Sequence, residues 1–444
     1  MSAKAKKSYL DICRRCVEKA VGLGAEWCDV SAGAARDISV TIEKTGIKTA
    51  DAGQGEDLAI RVFVRGGMGY ASVSGSDRRD INEAVERAVA LAKEATPDPD
   101  FRALPPAQPA PEVEGLFDSQ IAGMSVGDVV RVAVANIQAA KALEPDVNLT
   151  GHVGLAVGEG ALASSTGVAL QSRATEIGAD IDALLARGGD KGFFSDFDCG
   201  RLLADTQLEK VSESAVLGAR RFLGARRIHS GRMTLVLGPL AASGFLGSLV
   251  AAANAESIQR GRSFLCGKLG AAIASEHLSI VDNGLIPRGL HSGAHDGEGT
   301  RRRPLTVIDR GRLVSLLHNS YTAGKAGGRS NGHSSGAGCA PTNLRPRPGE
   351  MPAEEIIRGV KRGLYVNSAS LMPNPSSGDI SALVEFGMAI ENGKLAAPVA
   401  NVTVVGHILK VLSDIDAISS DYRSEPGNVL PTIRIRGMDI SGAG

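Results

Sequence analysis

Apolar side chains at Leu10, Cys13, Val17 and Ala20 keep the three-to-four spacing of one helical face, and Gly22 and Gly24 follow as a stop. The spacing predicts an amphipathic helix within 5–24. Alternating segments come next, Asp37 to Glu43 and Leu58 to Val64, punctuated by Gly46, Gly53 and the pair Gly66 and Gly67, a pattern of antiparallel hairpins. Ile81, Val85, Ala88, Val89 and Ala92 then mark a second helix. Pro97, Pro99, Pro105, Pro106, Pro109 and Pro111 follow, a density that favours an extended connector over helix or ladder. After it the order returns: a helix from about Val126 to Leu143, strands around Val147 to Val157 and Gly167 to Arg173 with a turn at Gly167, a strand from Thr175 to Ala186, and a helix near Gly200 to Leu223. The echo is architectural, without a sequence repeat. Two such units are expected to pack as one pseudo-symmetric domain, because each sheet has an apolar face to cover.

From about Arg226 the texture changes to short β-like runs separated by Gly, Pro, Asn and Ser, ending in the alternation Thr432 to Arg436. The expected fold class is α+β. An N-terminal domain over 1–225 would hold the two helix/antiparallel-sheet units with the connector at 97–111, and a β-rich, barrel-like domain would occupy 226–444. One run, Thr234 to Ala255, is uncharged and about long enough to span a bilayer. Gly238, Pro239, Ser243, Gly244, Gly247 and Ser248 interrupt it, so it reads as a buried strand at Leu235 to Leu237 entering an Ala/Gly-rich helix, and no membrane partner is expected.

Composition narrows the classes of partner. Lys plus Arg number 49 and Asp plus Glu 49, so the net charge is zero and nucleic acid is not the default partner. Gly contributes 55 residues and aromatics only 4%, which favours a sheet-rich architecture with tight turns over a helical bundle. The cysteines Cys13, Cys16, Cys28, Cys199, Cys266 and Cys339 are scattered, and no apolar stretch follows the basic start at Lys4, Lys6 and Lys7. Reduced thiols and a cytoplasmic location are the expectation.

Isolated motifs carry little chemistry. Cys13 and Cys16 have C-x-x-C spacing but lie on the first helix without the strand a redox site needs or the second pair a zinc site needs, and burial as small hydrophobes fits better. Two G-x-S-x-G matches occur, at Gly123 to Gly127 and Gly332 to Gly336. Ser125, with Asp128 three residues on, reads as a helix N-cap. Ser334 lies in the glycine-rich run Gly327 to Gly338, expected as a solvent loop, and its neighbour His333 keeps a serine-hydrolase reading open. A phosphate loop fails on spacing between Gly261 and Lys268. His291 and His295, near Asp296 and Glu298, would converge on a metal if helical, while their Gly neighbour argues for a loop. Basic groups at Arg220, Arg221, Arg226 and Arg227 and at Arg301 to Arg303 lack interleaved aromatics and read as solvated surface or a protein interface.

Several stretches together resemble one family. Ala59 to Val64 (A-I-R-V-F-V) with Gly69 to Ser72 (G-Y-A-S) is similar to the TldD/PmbA (TldE) proteins, once called modulators of DNA gyrase. In the C-terminal half, Arg303 to Asp309, Leu317 to Ala323, Ser376 to Asp379 and Ile390 to Gly393, followed by Pro398, Val399 and Thr403, match the PmbA/TldE pattern in order. The resemblance runs from about residue 25 to 440. It is departed from at two places, the pair Phe386 and Gly387 where Gly-Phe is usual and His407 where Asn is usual.

The resemblance implies a cytosolic metallopeptidase of two related subunits, in which a TldD-type chain holds zinc through H-E-x-x-x-H on a helix and a later cysteine. The PmbA/TldE-type chain lacks that set and completes the peptide-holding cavity. Here the corresponding helix, Phe245 to Glu256, contains no histidine, and residues 411–431 contain no cysteine. The implied reading is a subunit without its own zinc site, with zinc in a TldD-like partner, acting on unfolded or modified peptides. Tyr321, Arg329, Ser334, Asn343, Ser377 and Asp379 are the candidates for peptide contact, being polar and in or beside Gly/Pro-rich loops. The alternatives are a homo-oligomeric peptide-binding or scaffolding protein without peptidase activity, a homodimer in isolation included, and an independent enzyme using His291 and His295 or Ser334.

Overall fold

The computed structural model describes residues 8–336 and 338–442; Lys4, Lys6 and Lys7 of the basic start and position 337 of the glycine-rich run lie outside them. The first unit runs α1 (Tyr9–Gly22), β1 (Trp27–Glu43), β2 (Gly46–Val64), β3 (Gly67–Ser74) and α2 (Arg78–Glu94). After the proline connector and a short α3 (Ser119–Gly123), the second runs α4 (Val126–Leu143), β4 (Asn148–Ser164), β5 (Ala169–Arg187), β6 (Asp190–Gly200) and α5 (Val211–Arg221). All six strands form one antiparallel sheet in the order β3-β2-β1-β4-β5-β6, so the two units join edge to edge through β1 and β4.

Strands are longer than the sequence pattern suggests, and β1 serves two cores. On β1, Cys28, Val30 and Ala32 pack with α1 and α2, while Ile38, Val40 and Ile42 pack with α4 and α5. All six positions are even, and period two puts them on one face. At about 3.3 Å per residue the 17-residue β1 is roughly 55 Å long, enough for two helix pairs side by side. Residues 34–37, which lack large apolar side chains, mark the seam between the cores, and the sequence pattern begins the strand only at Asp37. The two strands expected either side of residue 174 are a single β5. The helix expected from Gly200 begins only at Val211, after β6 and two single 3₁₀ turns.

Each edge strand carries a glycine against a helix. A Cβ on Gly69 of β3 would lie 2.0 Å from the Ala88 carbonyl oxygen of α2, and one on Gly192 of β6 would lie 2.1 Å from that of Ala219 of α5. Both helices therefore sit closer to the sheet than any side chain would allow. Ser125 caps α4 in a capping box with Asp128, as its spacing predicts.

The C-terminal region opens with β7 (Gly231–Leu237), α6 (Pro239–Ala252) and α7 (Ala255–Gln259). β8 (Ile280–Asp282), β9 (Leu305–Asp309), β10 (Arg312–Leu313), α8 (Ser320–Lys325) and β11 (Leu344–Pro346) follow, and these strands make a four-stranded sheet. The chain then runs α9 (Ala353–Arg358), β12 (Arg362–Ala369), β13 (Asp379–Glu391), β14 (Lys394–Val399), β15 (Val402–His407), α10 (Ile408–Ser413), β16 (Ile415–Glu425) and β17 (Asn428–Gly442). β12 pairs with β7 and also with β13, so the path β12, β7, β17, β15, β13 returns on itself as a closed barrel, with only β12 and β7 parallel. Closure removes the sheet edges that would otherwise be left unpaired.

The uncharged run is a strand and helix, β7 and α6. Pro239 opens α6 at a position where a missing N–H costs nothing, and Phe245, Leu246, Leu249 and Val250 join Leu235, Leu364, Ile433 and Ile435 in the main core. Among the described residues no helix is long and apolar enough to cross a membrane.

Candidate functional site

The C-terminal loops meet the sheet face opposite the helices, where β1 and β2 present charge. Asp29 and Arg61 stand directly opposite in the ladder. Arg61 Nε donates to Asp29 Oδ1 at 3.0 Å and Nη2 to Oδ2 at 2.6 Å, and Nη2 also reaches Glu298 Oε1 at 3.1 Å. The other Glu298 oxygen accepts the Ser320 amide of α8 at 2.9 Å. The Glu298 side chain is 1% exposed and that of Asp29 9%. Burial works against the Arg61 charge, but the two carboxylates more than offset it and hold the guanidinium charged.

Beside this network lies a cleft of about 490 Å³, walled by Asp29, Ser31, Arg61, Met68 and Tyr70 on the sheet and by Gly297 and Gly336 on the loops. Met68 and Tyr70, 52% and 55% exposed, stand on the edge strand β3. The cleft combines polar groups with two large exposed side chains next to a strand edge. Such a surface can bind an extended chain through main-chain hydrogen bonds while side-chain pockets add selectivity.

The loops are held by buried polar clips. Asp296 accepts the amides of Glu298, Thr300 and Ser334 at 3.0, 2.9 and 3.0 Å. Burial nonetheless pushes its carboxyl up to about 6 against the effect of those amides. His333 Nε2 faces Asp282 Oδ1 at 3.1 Å and Nδ1 faces Asn331 Oδ1 at 3.0 Å. Asp282 also accepts the Thr342 amide at 2.7 Å. Residues Asn331 to Ser334 are therefore buried, which corrects the expectation of a solvent loop over this run. Polar side chains with partners on neighbouring segments allow a glycine-rich stretch to pack inside. Both nitrogens of His333 are turned away from Ser334, whose Oγ accepts the Gly336 amide at 3.2 Å, so the pair lacks the nucleophile-base hydrogen bond of a serine hydrolase.

The residues singled out from sequence fall into three places. Tyr321 donates to Asp98 Oδ2 at 2.9 Å and anchors α8 to the proline connector, and burial with Asp98 raises its phenol. Ser334 lies in the same loop cluster, and Arg329 is exposed between them. Asn343 is fully buried: its Nδ2 donates to Asn283 O at 2.8 Å and Ser292 Oγ at 2.9 Å, and its Oδ1 accepts the His291 amide at 3.2 Å. Ser377 and Asp379 form a separate exposed turn before β13, where Ser377 Oγ donates to Asp379 Oδ2 at 2.7 Å and His407 Nε2 donates to Ser377 O at 2.9 Å. His291 and His295 lie on a loop, and His295 Nδ1 turns to the Asp296 carbonyl at 3.1 Å. Among the described residues no group of three His, Cys, Asp or Glu side chains is placed to hold a metal ion. Sequence reasoning missed Asp29, Arg61, Met68 and Tyr70 as site residues. Arg61 and Tyr70 lie inside the two stretches that carried the family resemblance, which was the available signal.

The stretch Phe245 to Glu256, read as one helix, is two. α6 ends at Ala252, and Asn254 caps α7 by accepting the Glu256 amide at 2.9 Å, while its Nδ2 donates to Cys339 O at 2.7 Å. α6 carries no imidazole and no carboxylate, and Glu256 pairs with Arg260 at 2.7 Å. The Cys339 thiol is pushed up to about 11 by burial, the wrong direction for a thiolate ligand.

The pattern described as the PmbA/TldA metallopeptidase C-terminal domain matches residues 230–442, and that of the PmbA/TldA metallopeptidase domain 1 matches residues 28–92, together more than half of the chain. The chain belongs to the PmbA/TldD metallopeptidase family. Among relatives in the family, a metalloprotease of Methanothermobacter thermautotrophicus is 26% identical, covering 94% of this chain and 96% of that protein. Metalloprotease PmbA of Escherichia coli is 24% identical, covering 98% of each. The crystal structure of TldE from Thermococcus kodakarensis superposes with a TM-score of 0.88 at 22% identity over 97% of this chain and all of that one, a likeness of fold. The PmbA/TldD stretch Ala59 to Val64 supplies Arg61, and that of the C-terminal domain supplies Glu298 and Ser320, so the interdomain ion network joins the two matched regions.

Proposed function

We propose that this chain is the PmbA/TldE-like subunit of a two-chain metallopeptidase acting on unfolded or modified peptides, with the hydrolytic zinc carried by a TldD-type partner. The observation behind the reading is the donor set of α6 and α7. A hydrolytic zinc takes about three protein ligands and an open water position. This segment offers one carboxylate, already paired with Arg260, and no imidazole, so the residues present do not fit that metal.

The chain's own part is then to hold substrate. The cleft at Asp29, Ser31, Arg61, Met68 and Tyr70 suits an extended backbone laid beside β3. Of the residues named from sequence, Tyr321, Arg329, Ser377 and Asp379 retain accessible surface for peptide contact, whereas buried Ser334 and Asn343 shape the wall. Division into 1–225 and 226–444 belongs to the same reading, with the cleft between the two parts. So does a cytoplasmic location, which suits the free thiols.

The test is metal content and peptide cleavage of the purified chain, alone and mixed with a TldD-type chain carrying H-E-x-x-x-H. The expected result is no stoichiometric zinc and no cleavage alone, with cleavage of an unfolded peptide only in the mixture. One zinc per chain alone, or cleavage by the chain alone, overturns the reading. A homo-oligomer that binds peptide and gains nothing from the second chain overturns it as well.

A further inference from the structure

A second cavity lies away from the interdomain cleft, at the end of the barrel where β7 and β12 begin and β13 ends. Its volume is about 810 Å³, and its lining includes Arg227, His229, Lys361, Arg362 and Glu391. Ile228, Met233, Val360 and Ile390 supply an apolar floor. The cations come from separate segments: Arg227 precedes β7, while Lys361 and Arg362 sit at the start of β12.

These cations are exposed to solvent. Among the described residues, Arg227, Lys361 and Arg362 have no carboxylate within ion-pair distance and no side-chain hydrogen bond to protein. Of the cations nearby, Arg232 pairs with Asp414 and Asp439, and Arg358 with Glu354 at 2.9 Å. Glu391 stands directly opposite Arg362 in the β12–β13 ladder and still makes no ion pair. Three cations against one carboxylate give the concavity a net positive field, which favours an anion.

We propose that this cavity binds a small phosphate-bearing molecule. Two guanidinium groups and an ammonium supply the charge and N–H donors that phosphate oxygens accept, and the apolar floor receives the uncharged part of the ligand. The site is independent of the peptide cleft and of any zinc on a partner.

Calorimetric titration with inorganic pyrophosphate, ADP and citrate tests this at about 0.1 M salt, where the screening length is about 10 Å. Pyrophosphate and ADP are expected to bind, ADP more tightly through the floor, and to weaken as salt rises. The triple variant Arg227→Gln/Lys361→Gln/Arg362→Gln should weaken binding at least ~10-fold, and Glu391→Gln should tighten it, because the one opposing charge is gone. All four side chains are exposed, so the unfolding temperature without ligand serves as the folding control. Absence of binding by both phosphate probes, or equal affinity in the triple variant, overturns the proposal. Citrate binding as tightly as pyrophosphate overturns the phosphate assignment, and an oligonucleotide that outcompetes ADP at these residues overturns the small-molecule assignment.

Discussion

Replacing Arg61 by methionine tests whether the buried ion network fixes the two parts of the chain together. The substitution keeps most of the side-chain volume and removes the one cation that serves both Asp29 and Glu298. Neither carboxylate can turn to water, since their side chains are 9% and 1% exposed. Removing one partner from a buried pair costs about 3–5 kcal/mol, most of it from the charge left behind. Arg61→Met should therefore lower the unfolding free energy by that amount at pH 7.5. The unfolding temperature should fall by roughly 4–10 °C, the smaller value applying if the whole chain unfolds as one unit and the larger if the N-terminal part does so alone. Chemical denaturation followed by far-UV circular dichroism reads the first, and calorimetry the second. The decisive comparison is a triple variant, Arg61→Met/Asp29→Asn/Glu298→Gln, which leaves no buried charge and should recover most of the loss. A single variant within ~1 kcal/mol of the parent, or a triple variant no more stable than the single, would refute the argument that the stranded carboxylates set the cost.

Three further outcomes follow from the geometry. Asp296 has a carboxyl raised to about 6, so its folded form holds a proton between roughly pH 4 and 6 that the unfolded chain has released; its contribution is full below about pH 4 and lost as pH rises through 6. Asp296→Asn cannot titrate, so its stability deficit relative to the parent should be larger at pH 4 than at pH 7 by up to about 3 kcal/mol, and a deficit independent of pH would contradict the shift. Gly69→Ala and Gly192→Ala each force a methyl against a helix carbonyl at 2.0 and 2.1 Å and should cost at least ~1–3 kcal/mol by urea denaturation, whereas Gly55→Ala, with nothing within 4 Å of its Cβ, should be nearly neutral. Asn343→Ala leaves the His291 amide and the Asn283 carbonyl without their partner and should cost about 1–3 kcal/mol, while peptide binding per folded molecule stays unchanged if the residue shapes the wall and makes no contact with substrate.

Local pattern carried the helices and the entry to the barrel. The residues of α4 run over the predicted span because its apolar spacing, its Ser125 and Asp128 cap and its end at Leu143 are all local. β7 and α6 were legible because Gly238 and Pro239 mark the change of period. The length of β1 was not, since a strand shared by two cores interrupts its own alternation at the seam. Barrel closure through β12 depends on pairing with β7, more than a hundred residues earlier, and no local signal encodes it. The site was legible only in part for the same reason: Arg61 and Glu298 are 237 residues apart, and each alone reads as a surface charge. The glycine-rich run misled because its burial depends on Asp282 and Asp296, which lie on other segments.

Two of the joins between the two parts of the chain differ in physical kind, and the difference bears on where the proposed peptide cleft lies. At the β1 and β2 end the join is ionic, Arg61 between Asp29 and Glu298. At the β6 end an aromatic cluster stands beside the ion pair of Arg423 with Asp196 at 3.4 Å: Phe194 and Phe222 stack with centroids 5.8 Å apart, and Phe386 of the barrel tilts against them at 4.8 and 5.3 Å. Aromatic pairs add about 0.5–1.5 kcal/mol each beyond the area they bury, without demanding one orientation. A bidentate ion pair demands one, since small displacement leaves charge buried and unpaired. The aromatic end therefore contributes attraction, and the ionic end fixes the angle at which the loops face the sheet. The cleft adjoins the ionic end, where that angle is held most tightly, and a site that must present fixed hydrogen-bonding groups to an extended chain is best built there.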